Sequence, residues 1–165
     1  MSAAGAEPPF ATPDLADTNP AARALLLPWR DYGVRRCFSG AVVTVKCFED
    51  NSLVKELLNQ PGAGQVLLVD GGGSQRRALL GDQIAAAAVR NGWAGVVIAG
   101  VVRDVEILAT LDLGIKALGA CPLKTEKRGE GQRGVAVEIG GATIADGDWL
   151  YADGSGVLVS RDSLC

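Results

Sequence analysis

The 165-residue sequence contains no histidine. That absence removes Ser-His-Asp and Cys-His catalysis, His-ligated zinc and a histidine general base. Any metal would be held mainly by oxygen, which favours Mg or Mn. Cysteine is sparse and scattered: Cys37, Cys47, Cys121 and Cys165 form no CxxC pair. They read as reduced thiols of a cytoplasmic protein. No run reaches 18 apolar residues, so no membrane-spanning helix is expected. Basic tracts are absent too, and the formal charge is -3, which speaks against direct nucleic-acid binding. The pairs Arg35-Arg36 and Arg76-Arg77 read as solvated faces. Aromatic residues make up only 5% beside 22 glycines, a balance that implies many turns and a core of small side chains. The opening MSAAGAEPPFAT lacks the basic and apolar regions of a signal peptide, and residues 1–11 read as a flexible tail.

What is present is an ordinary globular composition, 48% apolar and 21% charged. A single domain over residues 12–165 is long enough to bury about two-thirds of its unfolded surface. The chain is organised around Leu79 to Leu108. There Gly81-Asp82 opens a helix of roughly 8 to 10 residues, with Ile84, Ala87 and Ala88 at helical spacing and Asn91-Gly92 as its stop. An apolar run, Gly95 to Ala99, follows as a strand buried on both faces. A second turn then carries Arg103-Asp104. One helix-and-strand return would bring both turns to the same sheet edge, where open sheets hold their ligands.

Upstream, Thr12 reads as a helix cap with Pro13 at the first helical position, and Asn19-Pro20 as the break. Ala21 to Trp29 is apolar without clear period. Ala41 to Cys47 reads as a strand. Glu49 to Ser52 would cap a helix through Asn59 with Leu53, Leu57 and Leu58 inward. Gln65 to Asp70 is a buried strand that runs into Gly71-Gly72-Gly73-Ser74, which reads equally as an anion cradle or as a tight strand exit. Downstream, Ile115 to Ala120 reads as a strand and Lys124 to Arg133 as a charged surface loop. The GxGxxG at Gly129, Gly131 and Gly134 precedes an alternating strand pattern, whereas a dinucleotide motif must open a helix, so it is rejected. Four short strands follow: Val135 to Ile139, Ala142 to Ile144, Trp149 to Ala152 and Gly156 to Ser160. Strand-helix units followed by strands predict a layered α/β sandwich.

Two turns carry the candidate chemistry. Gly81, Asp82, Gln83 and Ile84 offer free N–H groups at the positive end of a helix, which suits a carboxylate or phosphate; the plainer reading has Asp82 cap the helix. Arg103 can grip a planar carboxylate with two hydrogen bonds, and Asp104 can hold Mg with waters completing the shell. Together they describe a 2-oxo acid site in which a metal polarises the keto oxygen. An exposed ion pair is the plainer reading here. A lysine Schiff base is a rival route to the same enolate. Lys46, in a predicted strand, is its candidate, and nothing around it suggests a lowered pKa.

Phe48-Glu49-Asp50-Asn51, Val69 to Ser74, Arg77-Ala78-Leu79, Gly81-Asp82, Asn91 to Gly95, Val102-Arg103-Asp104, Gly140-Gly141 and Tyr151-Ala152-Asp153 together resemble the RraA-like family. That family includes 4-hydroxy-4-methyl-2-oxoglutarate aldolases and the regulator of ribonuclease E activity, and the likeness runs from about Thr12 to Ser160. It implies a swivelling β/β/α fold and a homotrimer with sites between subunits. It also implies substrate binding by the Gly81 to Ile84 turn, carboxylate binding by Arg103, metal binding by Asp104 and a base or water-orienting role for Asp82. The regulatory type lacks the aspartate after the arginine, so Asp104 favours a lyase that releases pyruvate and also decarboxylates oxaloacetate. The alternative is a regulator that binds a ribonuclease or RNA helicase. Longer aldolases add a C-terminal acidic residue to a neighbouring site, and this sequence ends at Cys165 without it. The older family label of menaquinone methyltransferase finds no glycine-rich nucleotide loop here.

Overall fold

The computed structural model describes residues 8–165. Positions 1–7 of the expected tail lie outside the described residues; near the tail's other end, Phe10 meets the Tyr151 ring edge-on at 5.4 Å. The chain forms α1 (Thr12–Thr18), β1 (Arg23–Ala24), β2 (Arg30–Asp31), β3 (Phe38–Lys46), α2 (Ser52–Leu58), β4 (Val66–Asp70), β5 (Ala78–Leu80) and α3 (Asp82–Arg90). It continues through β6 (Gly95–Val102), α4 (Val105–Leu108), β7 (Gly114–Ala120), β8 (Gln132–Arg133), β9 (Val137–Ile139), β10 (Ala142–Ile144), β11 (Trp149–Asp153) and β12 (Gly156–Ser160).

β3 is the hinge of the architecture. Its first half pairs antiparallel with β11, which pairs with β12, while its second half pairs parallel with β4. β4, β6 and β7 continue the parallel part, so every residue of β6 is buried, as an apolar strand covered on both faces requires. One apolar core lies on the helical side, built from Val54, Leu57, Leu67, Ala85, Ala88, Ile98 and Leu108 among others. A second core joins the other face, through Phe38, Leu68 and Val97, to β9, β10, β11 and β12. Helices, parallel sheet and a second β layer thus form a single-domain α/β fold of the expected β/β/α kind.

Gly95 and Gly114 have a packing reason. A Cβ on either would lie within 2.5 Å of the Phe38 ring, which lies against both strands. α3 likewise presents Ala85, Ala87 and Ala88 to the core, and these short side chains let the helix lie close to the sheet.

Several local expectations shift by a residue. Ala11, not Thr12, occupies the cap position of α1. The Asp153 carboxylate accepts both the Thr12 N–H and its hydroxyl, at 2.7 Å each, so a distant side chain does the capping. In α2 the cap is Asn51, and Val54 takes the inward place expected of Leu53, which is half-buried. In α3 Ala85 turns inward and Ile84 is half-buried. The Gly71 to Ser74 turn is a strand exit: the Gly72 N–H donates to Asp70 Oδ1 at 3.0 Å and the Gly73 N–H to the Ala99 carbonyl at 3.0 Å. The Gly72 and Gly73 donors are therefore committed internally. Arg76 pairs with Glu49 at 2.7 Å and Arg35 with Asp112 at 2.8 Å, both on the surface. No helix of the described residues is long and apolar enough to cross a membrane.

Candidate functional site

The short strand β5 pairs in parallel with β6, Leu80 opposite Val102. Both strands end there, so the residues that follow, Gly81 and Arg103, leave the sheet side by side. The Arg103 N–H donates to the Leu80 carbonyl at 2.9 Å, which fixes the two turns to each other. The two turns singled out in the sequence thus form one corner at the carboxyl ends of parallel strands.

Asp104 adopts a left-handed backbone, φ 57 and ψ 40, before α4. This conformation costs a residue with a side chain about 1–3 kcal/mol, although aspartate tolerates it better than most. Its Oδ2 accepts the Asp82 N–H at 3.0 Å and lies 3.9 Å from Arg103 Nε. Gly81 is the N-cap of α3. A Cβ there would sit 2.8 Å from Asp104 Oδ2 and 3.4 Å from Arg103 Nε. Glycine is therefore required by the closeness of the carboxylate, not by backbone conformation, since its φ is -130.

Besides that of the cap Gly81, three N–H groups at the start of α3 have no intrahelical acceptor. Asp82's goes to Asp104, and Gln83's goes to Asp82 Oδ1 at 2.8 Å. Ile84's is left, and Ile84 lines the cleft beside the corner. Asp82 is thus the first helical residue with its carboxylate folded onto the next amide, and Gly81 holds the cap position expected of it.

The cleft has a volume of about 360 Å³. Gly81, Asp82, Gln83, Ile84 and Arg103 line it together with Asn51, Lys55, Asn59, Ala78, Arg90, Lys124 and Lys127. Lys55, Lys124 and Lys127 were not singled out in the sequence. Nothing in their spacing marks them; only folding brings α2 and the segment after β7 to this corner.

Among the described residues no three acidic or thiol side chains gather as a ready-made metal cage. The donor set at Asp104 still suits a hard cation. One carboxylate oxygen is fixed by the Asp82 N–H and Oδ1 is left over, and Mg is commonly held by one or two carboxylates with water and substrate oxygens filling the octahedron.

Other nucleophiles are less suited. All four cysteines are free, and burial with Asp50 and Asp70 nearby pushes the Cys47 thiol up to about 12. Lys46 is exposed and lies outside the cleft. Lys116, which also lies in a strand, is the buried lysine, 2% exposed. Its ammonium donates to the Asp153 carbonyl at 2.6 Å and pairs with Asp31 at 3.1 Å, so it is held as a structural cation.

Residues 12–159 match the RraA-like family, described as Aldolase/RraA. A relative from Pseudomonas fluorescens, provisionally named 4-hydroxy-4-methyl-2-oxoglutarate aldolase, is 54% identical over 156 residues, covering 94% of this chain and 96% of its own. A crystal structure from Geobacillus kaustophilus, described as an S-adenosylmethionine:2-dimethylmenaquinone methyltransferase, has a TM-score of 0.92 at 44% identity, covering 94% of this chain and 97% of its own. The structure of a Thermus RNA-processing inhibitor, RraA, has a TM-score of 0.90 at 44% identity and covers 93% of each chain. Matched along nearly its whole described length, the chain belongs to the RraA-like family.

Proposed function

We propose that this protein is a divalent-metal-dependent lyase that cleaves 4-hydroxy-4-methyl-2-oxoglutarate, or a related 4-hydroxy-2-oxo diacid, to pyruvate. The observation that carries this reading is the corner itself: an aspartate in a strained turn beside a half-buried arginine, tied to the opening amide of a helix whose first residues and Arg103 line a cation-rich cleft. The provisional aldolase name of the Pseudomonas fluorescens relative supports the same reaction class.

Arg103 would bind the 2-oxo acid carboxylate with its guanidinium fork, aided by the Ile84 N–H. Asp104 would hold Mg or Mn through Oδ1 and water. A cation bound there supplies positive charge that stabilises the negative oxygen developing at C2. Asp82, or a water that it orients, takes the proton of the C4 hydroxyl. The C4 oxygen then becomes a carbonyl, the C3–C4 bond breaks, and its electron pair passes to C3 to form the pyruvate enolate. Return of the proton to C3 completes the second pyruvate. Oxaloacetate would lose its C4 carboxylate as carbon dioxide to give the same enolate, which accounts for a secondary decarboxylase activity. The proposal extends to a homotrimer with sites between subunits. A methyltransferase reading has no support at the Gly71 turn, whose Gly72 and Gly73 amides are taken internally and which leads into β5 instead of a helix.

Pyruvate release from both substrates, coupled to lactate dehydrogenase with and without Mg or Mn, tests the assignment. Asp104→Ala is expected to abolish metal-dependent turnover with the fold intact; full activity in that variant would overturn it. The Thermus inhibitor favours a second reading, a regulator that binds a ribonuclease or RNA helicase. That reading requires no pyruvate release and a saturable protein complex that survives Asp104→Ala.

A further inference from the structure

The cleft carries more positive charge than one carboxylate and one metal-bound oxygen require. Beside Arg103, its lining includes Lys124 and Lys127, both on the segment after β7. Their neighbour Thr125 is 3% exposed, which is unusual for a charged surface loop. The segment is latched in place at Leu123, Lys124, Thr125, Arg128 and Glu130. The Ala78 N–H donates to the Leu123 carbonyl at 2.7 Å, and Arg77 Nη1 to the Lys124 carbonyl at 3.2 Å. The buried Thr125 hydroxyl donates to Asn51 Oδ1 at 2.6 Å, while Asn51 Nδ2 donates to the Leu79 carbonyl at 3.3 Å. Farther on, the N–H groups of Arg128 and Glu130 donate to the fully buried Asp50 carboxylate at 2.8 and 3.1 Å.

The latch sets a distance. Lys124 bridges to Ala78 on β5, three residues before Gly81, and a strand rises about 3.3 Å per residue. β5 is irregular between Ala78 and Leu80, which oppose the adjacent Val101 and Val102, so with the spacing between strands included the backbone of Lys124 is roughly 8 to 11 Å from the Gly81 corner, a span that a lysine side chain and a five-carbon diacid can close between them. Glu126 and Glu130 do not line the cleft, and Glu130 is paired with Arg128 at 3.4 Å.

We propose that Lys124 and Lys127 form a second anion subsite that takes the distal carboxylate of a dicarboxylic 2-oxo acid, and that the Asp50, Asn51 and Thr125 latch positions it. The inference rests on the reading of the Gly81 and Arg103 corner as the seat of the 2-oxo acid group. It makes the protein selective for diacids by electrostatics at a fixed distance, since an ammonium on a latched segment loses less freedom on binding than one on a free loop.

Titration calorimetry with two unreactive five-carbon probes tests this in the presence of Mg: 2-oxoglutarate, and the monocarboxylate 2-oxopentanoate. Wild-type protein is expected to bind 2-oxoglutarate at least about tenfold tighter, roughly the 1.4 kcal/mol of one charge-assisted contact. The Lys124→Met, Lys127→Met double variant should bring that ratio close to one and leave 2-oxopentanoate affinity unchanged. Thr125→Val should lower the ratio and Thr125→Ser restore it, a pattern that general loss of stability would not give. Equal affinity of wild-type protein for the two probes, or an unchanged ratio in the double variant, overturns the subsite while the corner reading stands. Binding of neither probe by folded wild-type protein overturns both.

Discussion

A single missing methyl group separates a working corner from a blocked one. Gly81 has an ordinary extended φ, so alanine there meets no backbone penalty, yet its Cβ would stand 2.8 Å from Asp104 Oδ2. The carboxylate would have to swing away, giving up the hydrogen bond from the Asp82 N–H and the place from which it would hold a cation. Asp104 cannot relax elsewhere cheaply, because its left-handed backbone is fixed by the start of α4, where its carbonyl accepts the Ile107 and Leu108 N–H groups. Gly81→Ala is therefore expected to lower pyruvate release at least about tenfold, since misplacement of a reacting group by about 1 Å can cost a hundredfold. Its thermal unfolding midpoint should stay within a few degrees of wild type. Activity near the wild-type level would show that the Asp104 position is not what the reaction uses. The residue pair was legible in the sequence as two turns with suitable chemistry. The contact between them was not, because it depends on the β5 to β6 register, and a three-residue strand leaves no periodic trace.

At the scale of elements, what the sequence made readable was whatever carried its own period or punctuation. α3 was legible from its alanine spacing and the Asn91-Gly92 stop, and β6 from its unbroken apolar run. The two-residue strands β1, β2 and β8 were not, since their pairing is decided by partners more than 80 residues away. The segment after β7 was read as a solvated loop because its charges are local, whereas the groups that hold it, Asp50 and Asn51, lie far upstream. Asp50 shows the strength of that hold. Burial alone would raise its pKa, but the hydroxyl and N–H of Ser52 and the N–H groups of Glu130 and Arg128 outweigh burial and lower it from 3.8 to about 2. A carboxyl whose folded pKa is depressed contributes its full stability above the unfolded value and loses it as pH falls through the folded one. The Asp50 contribution should therefore be complete above about pH 4 and vanish towards pH 2. Asp50→Asn, which keeps the shape but not the charge, should cost about 2–3 kcal/mol at neutral pH. Urea midpoints measured from pH 7 to pH 2 should converge between wild type and variant at the acid end. Parallel pH profiles would show that Asp50 does not hold the segment as a charged acceptor.

For the molecule as a whole, the net charge and the charge of the cleft have opposite sign. The chain carries -3 overall, yet the cleft is lined by Lys55, Arg90, Arg103, Lys124 and Lys127 against Asp82, with Asp104 in the adjoining hollow that shares Arg103. Which field a dianionic substrate experiences depends on distance and salt. At about 0.15 M ionic strength the screening length is near 8 Å, so acidic groups on the far surface are largely hidden while the cations of the cleft still act on a ligand entering it. Further salt then weakens only the attraction that matters. Raising ionic strength from about 0.1 to 1 M shortens the screening length from about 10 to 3 Å, comparable to the separation of ligand and ammonium. KM for the diacid should accordingly rise several-fold over this range. The steps that follow binding are local and partly desolvated, so kcat should change by less than about twofold. A monocarboxylic 4-hydroxy-2-oxo acid, held by Arg103 but not by the lysines, should show a shallower rise in KM. Equal salt slopes for diacid and monoacid would mean that the field of the cleft acts as a whole and that Lys124 and Lys127 hold no separate carboxylate. A KM that falls with salt would mean that the overall negative charge governs approach and that the cationic lining plays no part in capture.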